Sequence, residues 1–136
     1  MTVEKMGEFR ITSESDIVMA RKVIRQAAID LGFGIADVTR IVTAASELVR
    51  NIYQYAGSGL MRWGSISQGT ARGMDLTFED QGPGIPDVAK AMEQGYSTSK
   101  GLGMGLPGAK RLMDEMTIQS EAGRGTTITV RKFLVR

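Results

Sequence analysis

The chain has 136 residues, 42% of them hydrophobic and 24% charged, with a formal net charge of +2; this length fits one compact domain spanning 1–136, and the balance argues against disorder, a coiled coil or a membrane span. It contains no cysteine and no histidine, which excludes disulfides, thiolate chemistry, a Ser-His-Asp triad and a phosphohistidine carried on this chain. Its basic residues are scattered in short groups such as Arg21-Lys22 and Lys110-Arg111, so a nucleic-acid backbone would meet no concentrated basic face.

Met1 to Arg10 carries charges and lacks the apolar core of a secretory signal, which makes the cytoplasm the expected location. Glu8 to Thr12 alternates, with Phe9 and Ile11 on one side, and predicts a short strand. Ser15 is placed to cap a helix in which Ile17, Ala20, Val23, Ile24, Ala27, Ala28 and Leu31 recur at three and four residues until Gly32 and Gly34. A second helix, about Ile35 to Ala56, carries an apolar stripe of Val38, Ile41, Val42, Ala45, Leu48, Val49 and Ile52. Gly57 and Gly59 end it, and strands follow within about Leu60 to Ser67 and Met74 to Glu79.

Met74, Leu76 and Phe78 share one strand face, and the period of two puts Asp80 on that same face at the strand's end. Gln81 to Pro86 then forces a tight turn. A short helix around Asp87 to Gln94 and a polar loop lead into the run Gly101 to Leu106, from which a helix is predicted to continue to about Met116. Thr117 to Ser120, a turn, and Thr126 to Leu134 form a closing hairpin, with Thr126, Ile128 and Val130 on one face. Seven of the 17 glycines fall between Gly82 and Gly108, whereas ordinary usage of about 7% would predict nine or ten in the whole chain.

At 100° per residue, Glu47 lies roughly 150° and Asn51 roughly 110° from the centre of the second helix's apolar stripe, stacked on neighbouring turns. Any solvated helix face carries such residues. An amide oxygen is also a fit ligand for Mg²⁺, which takes octahedral oxygen coordination and keeps waters and phosphates as its other ligands. A carboxylate one turn earlier is then placed to take a proton from an attacking hydroxyl or water. Asp80 with its glycines makes an ordinary turn, or an acceptor for an adenine amino group with space for close approach. Thr126 by itself reads as a plain strand residue, and beside Asp80 as support for that contact directly or through water. The glycine run from Gly101 to Gly105 serves as a hinge, or offers successive N–H donors and a helix's positive end to phosphate oxygens. It lacks the GK[ST] of a Walker loop.

Taken in order, Glu47-Leu48-Val49-Arg50-Asn51, Asp80 to Gly84, Gly101 to Gly105 and Gly125-Thr126-Thr127 resemble the N box, two glycine boxes and closing Gly-Thr of the GHKL ATPase superfamily. That resemblance implies a two-layer α/β (α+β) sandwich of the Bergerat type, a mixed sheet with helices on one face, ATP and Mg²⁺ between them, and a lid over about Pro86 to Lys100. Ser46 to Gly57, Asp80 to Pro86 and Ser97 to Asp114 further resemble the switch kinases of bacterial stressosomes. The implied function is Ser/Thr phosphorylation of STAS-domain stressosome scaffold or antagonist proteins, then activation of a downstream partner such as a PP2C-type phosphatase. The alternative is a nucleotide-gated anti-sigma factor or binding module that sequesters its partner. By the same resemblance Glu47 is the catalytic base, Asn51 the metal ligand and Asp80 the adenine contact. Gly82, Gly84, Ile85, Gly101, Leu102, Gly103, Met104, Gly105 and Leu106 enclose the nucleotide, and Thr126 supports Asp80. Lys100 stands where those relatives carry a small residue, beside the glycine run, where it faces either a phosphate or water.

Overall fold

The computed structural model describes residues 1–84, 92 and 105–134. In chain order these form β1 (Thr2–Ile11), α1 (Ser15–Asp30), α2 (Ile35–Ala56), β2 (Gly59–Gln68), β3 (Ala71–Asp80), α3 (Gly105–Leu112), β4 (Glu115–Glu121) and β5 (Gly125–Phe133). The sheet order is β1-β2-β3-β5-β4, and every pairing is antiparallel. Among the described residues the sheet is therefore antiparallel throughout, not mixed as the resemblance implies. After α3 the chain returns as β4, one position beyond β3's neighbour, and the β4–β5 hairpin folds β5 into the gap. β3 and β4 therefore run parallel without touching, and β5 pairs antiparallel with both.

Period-two alternation sorts the sheet's faces. Phe9, Met61, Phe78, Ile128 and Ile118 stand side by side across all five strands, and Trp63, Leu76, Val130 and Met116 form the next row. These side chains join the core built by the helices, with Met61, Leu76 and Ile24 wholly buried. The opposite face carries ion pairs as well as a row of Val3, Ile66, Gly73 and Phe133: Arg62 forks onto both oxygens of Glu79 at 2.7 and 3.1 Å, and Arg131 donates to Asp75 at 2.8 Å. Among the described residues, helices cover one face only, as the two-layer sandwich requires. Among the described residues, no helix is long and apolar enough to cross a membrane.

α2 sits between α1 and α3, so its buried arc is wide, from Ala44 round to Ser46. Its ends fall where the glycines predict, and Gly57 adopts φ 81° beyond the last turn. The start of α1 differs from expectation. Ser15 is its first residue rather than its cap, and the carboxylate of Asp16 accepts the N–H groups of Thr12 and Ser13 at 2.9 and 3.0 Å. Those bonds, Thr12's first, hold the Asp16 carboxyl below its usual range.

β1 is longer than the alternation suggested, because its first half pairs with β2 while burying nothing, and a bulge at Met6 interrupts the register. The last helix is shorter. It ends at Leu112, whose carbonyl accepts from Lys132 Nζ at 2.9 Å. The chain is then drawn into the sheet: Asp114 N–H donates to Arg131 O at 2.9 Å, and Asp114 Oδ2 accepts from Phe133 N–H at 2.8 Å. Met116 thus faces the core from β4 and not from a helix. The short helix expected around Asp87 to Gln94 and the lid over 86–100 lie outside the described residues, apart from Met92, which is partly buried against the core.

Candidate functional site

The wide buried arc of α2 leaves a narrow ridge, and both Glu47 and Asn51 stand on it, partly buried rather than fully solvated. Glu47 is 19% exposed and its Oε1 accepts from Arg50 Nη1 at 2.8 Å. Asn51, partly buried, makes no side-chain hydrogen bond among the described residues. Sequence reasoning passed over Arg50, although its i,i+3 spacing from Glu47 is a recognisable ion-pair signal.

Across the site, β3 delivers Asp80 directly opposite Thr126 of β5, as the face-sharing argument required. Asp80 Oδ1 accepts from Gly82 N–H at 2.8 Å. Burial pushes the Asp80 carboxyl above the usual carboxylate range, and hydrogen bonds from the backbone of Gly82 and Thr126 only partly offset it. Thr126 is 8% exposed, and its hydroxyl lies 2.9 Å from that of Ser120, which also donates to Gly125 O at 3.1 Å. Ser120 is therefore part of this polar cluster. No motif pointed to it, because its membership depends on β4 pairing with β5.

The turn after Asp80 connects these two regions. A Cβ on Gly82 would stand 2.6 Å from the Cβ of Ala56, so the turn rests on the last turn of α2, about 7.5 Å along the axis from Asn51 at 1.5 Å per residue. On its other side, Gly123 N–H donates to Pro83 O at 2.7 Å. Gly84 has φ 80° and abuts the Glu121 carbonyl, and Gly125 has φ 96° and abuts the Asp80 carbonyl. These glycines are thus required by chain-to-chain packing, whatever else they admit.

α3 begins at Gly105, and Leu106 is buried. This helix packs on α2, so the end of the glycine run reaches the helix that bears the ridge. Ile85, Gly101, Leu102, Gly103 and Met104 lie outside the described residues. An open depression of about 260 Å³, lined in part by Asp80, Gln81, Ser120, Arg124 and Thr126, lets solvent reach the strand ends.

Residues 36–136 match the family described as histidine kinase-, DNA gyrase B- and HSP90-like ATPases. Over 125 residues the chain is 54% identical to the serine/threonine-protein kinase RsbT of Bacillus subtilis (strain 168), covering 92% of this chain and 94% of that one. It is 31% identical over 137 residues to the anti-sigma F factor of Geobacillus kaustophilus (strain HTA426), covering 95% and 91%. Among solved structures, it is similar to the histidine kinase domain of the blue-light activated histidine kinase EL346 from Erythrobacter litoralis. The TM-score is 0.51 at 20% identity, over 87% of this chain and 59% of that one. That likeness concerns the fold alone, and the chain spans only 59% of that structure's length.

Proposed function

The chain belongs to the family of histidine kinase-, DNA gyrase B- and HSP90-like ATPases, and from that membership we propose that it is a serine/threonine protein kinase that uses Mg²⁺-ATP. The reading rests on one geometric observation: the Asp80 turn packs on the same helix that carries Glu47 and Asn51. The extent of the identity with RsbT supports it, since the match runs nearly end to end in both chains.

In this reading Asp80, facing inward at the end of β3, accepts the adenine amino group. Thr126 and Ser120 order the polar floor beside it. The N-terminus of α3 supplies N–H donors and partial positive charge to the phosphates. Among the described residues no three His, Cys, Asp or Glu side chains gather as a metal cage, so the donor set suits a cation held by one amide and by the nucleotide itself. Asn51 is that amide. When bound, Mg²⁺ would neutralise phosphate charge as the bond to the leaving oxygen breaks.

Glu47 acts on the acceptor. Its carboxylate takes the proton of a Ser or Thr hydroxyl as that oxygen bonds to the γ-phosphorus, while the γ-phosphorus–oxygen bond to the β-phosphate breaks to release ADP. The acceptors we infer are STAS-domain stressosome scaffold or antagonist proteins. The downstream partner we infer is a PP2C-type phosphatase.

A second reading, a nucleotide-gated anti-sigma factor, is favoured by the 31% identity with the anti-sigma F factor along nearly all of both chains. One experiment separates the two. Labelled ATP is incubated with the chain and a STAS-domain stressosome protein, and Glu47→Gln is run alongside. Transfer by the natural chain and its loss in the variant, with ATP binding retained, is the expected result. ATP binding without transfer, together with capture of a sigma factor, would favour the second reading.

A further inference from the structure

Resting on the reading of Glu47 as base, we propose that Arg50 is a positioning residue for phosphoryl transfer, holding that carboxylate by one of its oxygens so that the other is free for the acceptor hydroxyl. The bond is single: Arg50 Nη1 donates to Glu47 Oε1 at 2.8 Å. No hydrogen bond engages Oε2 among the described residues. A glutamate side chain has three torsions to fix, and one that wanders by an ångström loses about a hundredfold in a proton-transfer step.

The same helix contains an internal comparison. Arg40 and Asp37 form a pair of the same spacing at 2.7 Å, with Arg40 50% exposed, and such pairs ordinarily do little beyond helping a helix. The Arg50–Glu47 pair is similarly buried, its arginine 41% and its carboxylate 19% exposed against 50% and 22% for the other pair; it differs in where it stands, beside Asn51 on the ridge. α2 has no evident need of it for folding, since nine of its residues are buried.

The test measures transfer from labelled ATP to a STAS-domain protein, alongside ATP affinity by calorimetry. Arg50→Ala is expected to lower kcat about tenfold or more, the scale of one hydrogen bond to a charged group, with ATP affinity unchanged within about twofold. Arg50→Lys should recover most of the rate, because a single N–H···O bond does not need the guanidinium fork. Arg40→Ala should leave transfer at the natural rate. In a Glu47→Gln background, Arg50→Ala should add nothing, since both act through one carboxylate.

A slow Glu47→Gln with Arg50→Ala at the natural rate would overturn the role of Arg50 alone. So would a further loss in the double variant, or equal losses from Arg40→Ala and Arg50→Ala. Glu47→Gln at the natural rate would overturn the base assignment itself.

Discussion

Asp80 faces opposing demands from binding and from folding. Its carboxyl titrates above the ordinary 3.8 because burial disfavours the charged form. The sign follows from linkage: the contribution to stability is complete below about pH 3.8 and is lost as pH rises through the raised folded value. Asp80→Asn is therefore expected to be at least as stable as the natural protein at pH 7, with the difference in Tm closing as pH falls below 4. The same substitution should weaken ATP binding by about 1.5–3 kcal/mol, the range for hydrogen bonds to charged groups, which calorimetry would register. Asn51→Ala should act differently, removing the Mg²⁺ dependence of nucleotide binding while leaving metal-free affinity near its natural value. The inward placement of Asp80 and Thr126 was legible from strand periodicity alone. The pairing of Glu47 with Arg50 was legible as an i,i+3 spacing, whereas the contact of Thr126 with Ser120 was not, because it depends on which strands become neighbours.

Between elements, glycines set the distances. Gly84 combines φ 80° with a Cβ direction blocked by the Glu121 carbonyl, whereas Gly69 has φ 62° with open space around it. Gly69→Ala should thus cost about 1 kcal/mol, from backbone strain alone. Gly84→Ala should cost about 2–4 kcal/mol and also reduce ATP affinity, because the turn bearing Asp80 must move. Urea titration of both variants would check the order. The extent of α2 was readable from its sustained period and its terminal glycines. The end of α3 was not. The spacing of Ala109, Leu112, Met113 and Met116 suits a helix, but Asp114 is captured by the backbone of β5 and Met116 joins the strand row.

At the scale of the molecule, one core joins the sheet's inner face to α1, α2 and α3, so loss of volume at its centre should be felt everywhere. Leu76 is wholly buried between Trp63 and Val130 in its row. Leu76→Ala should lower stability by about 2–5 kcal/mol, seen as a lower urea midpoint with an unchanged slope. Sequence by itself determined the helix faces, the strand faces and the residue types suited to nucleotide chemistry, because these follow from local periods of 3.6 and 2 and from side-chain chemistry. Tertiary structure decided the strand order, the antiparallel sense of every pairing and the seating of the Asp80 turn on α2. Those outcomes depend on contacts between segments distant in the chain, where the same local pattern is compatible with more than one partner.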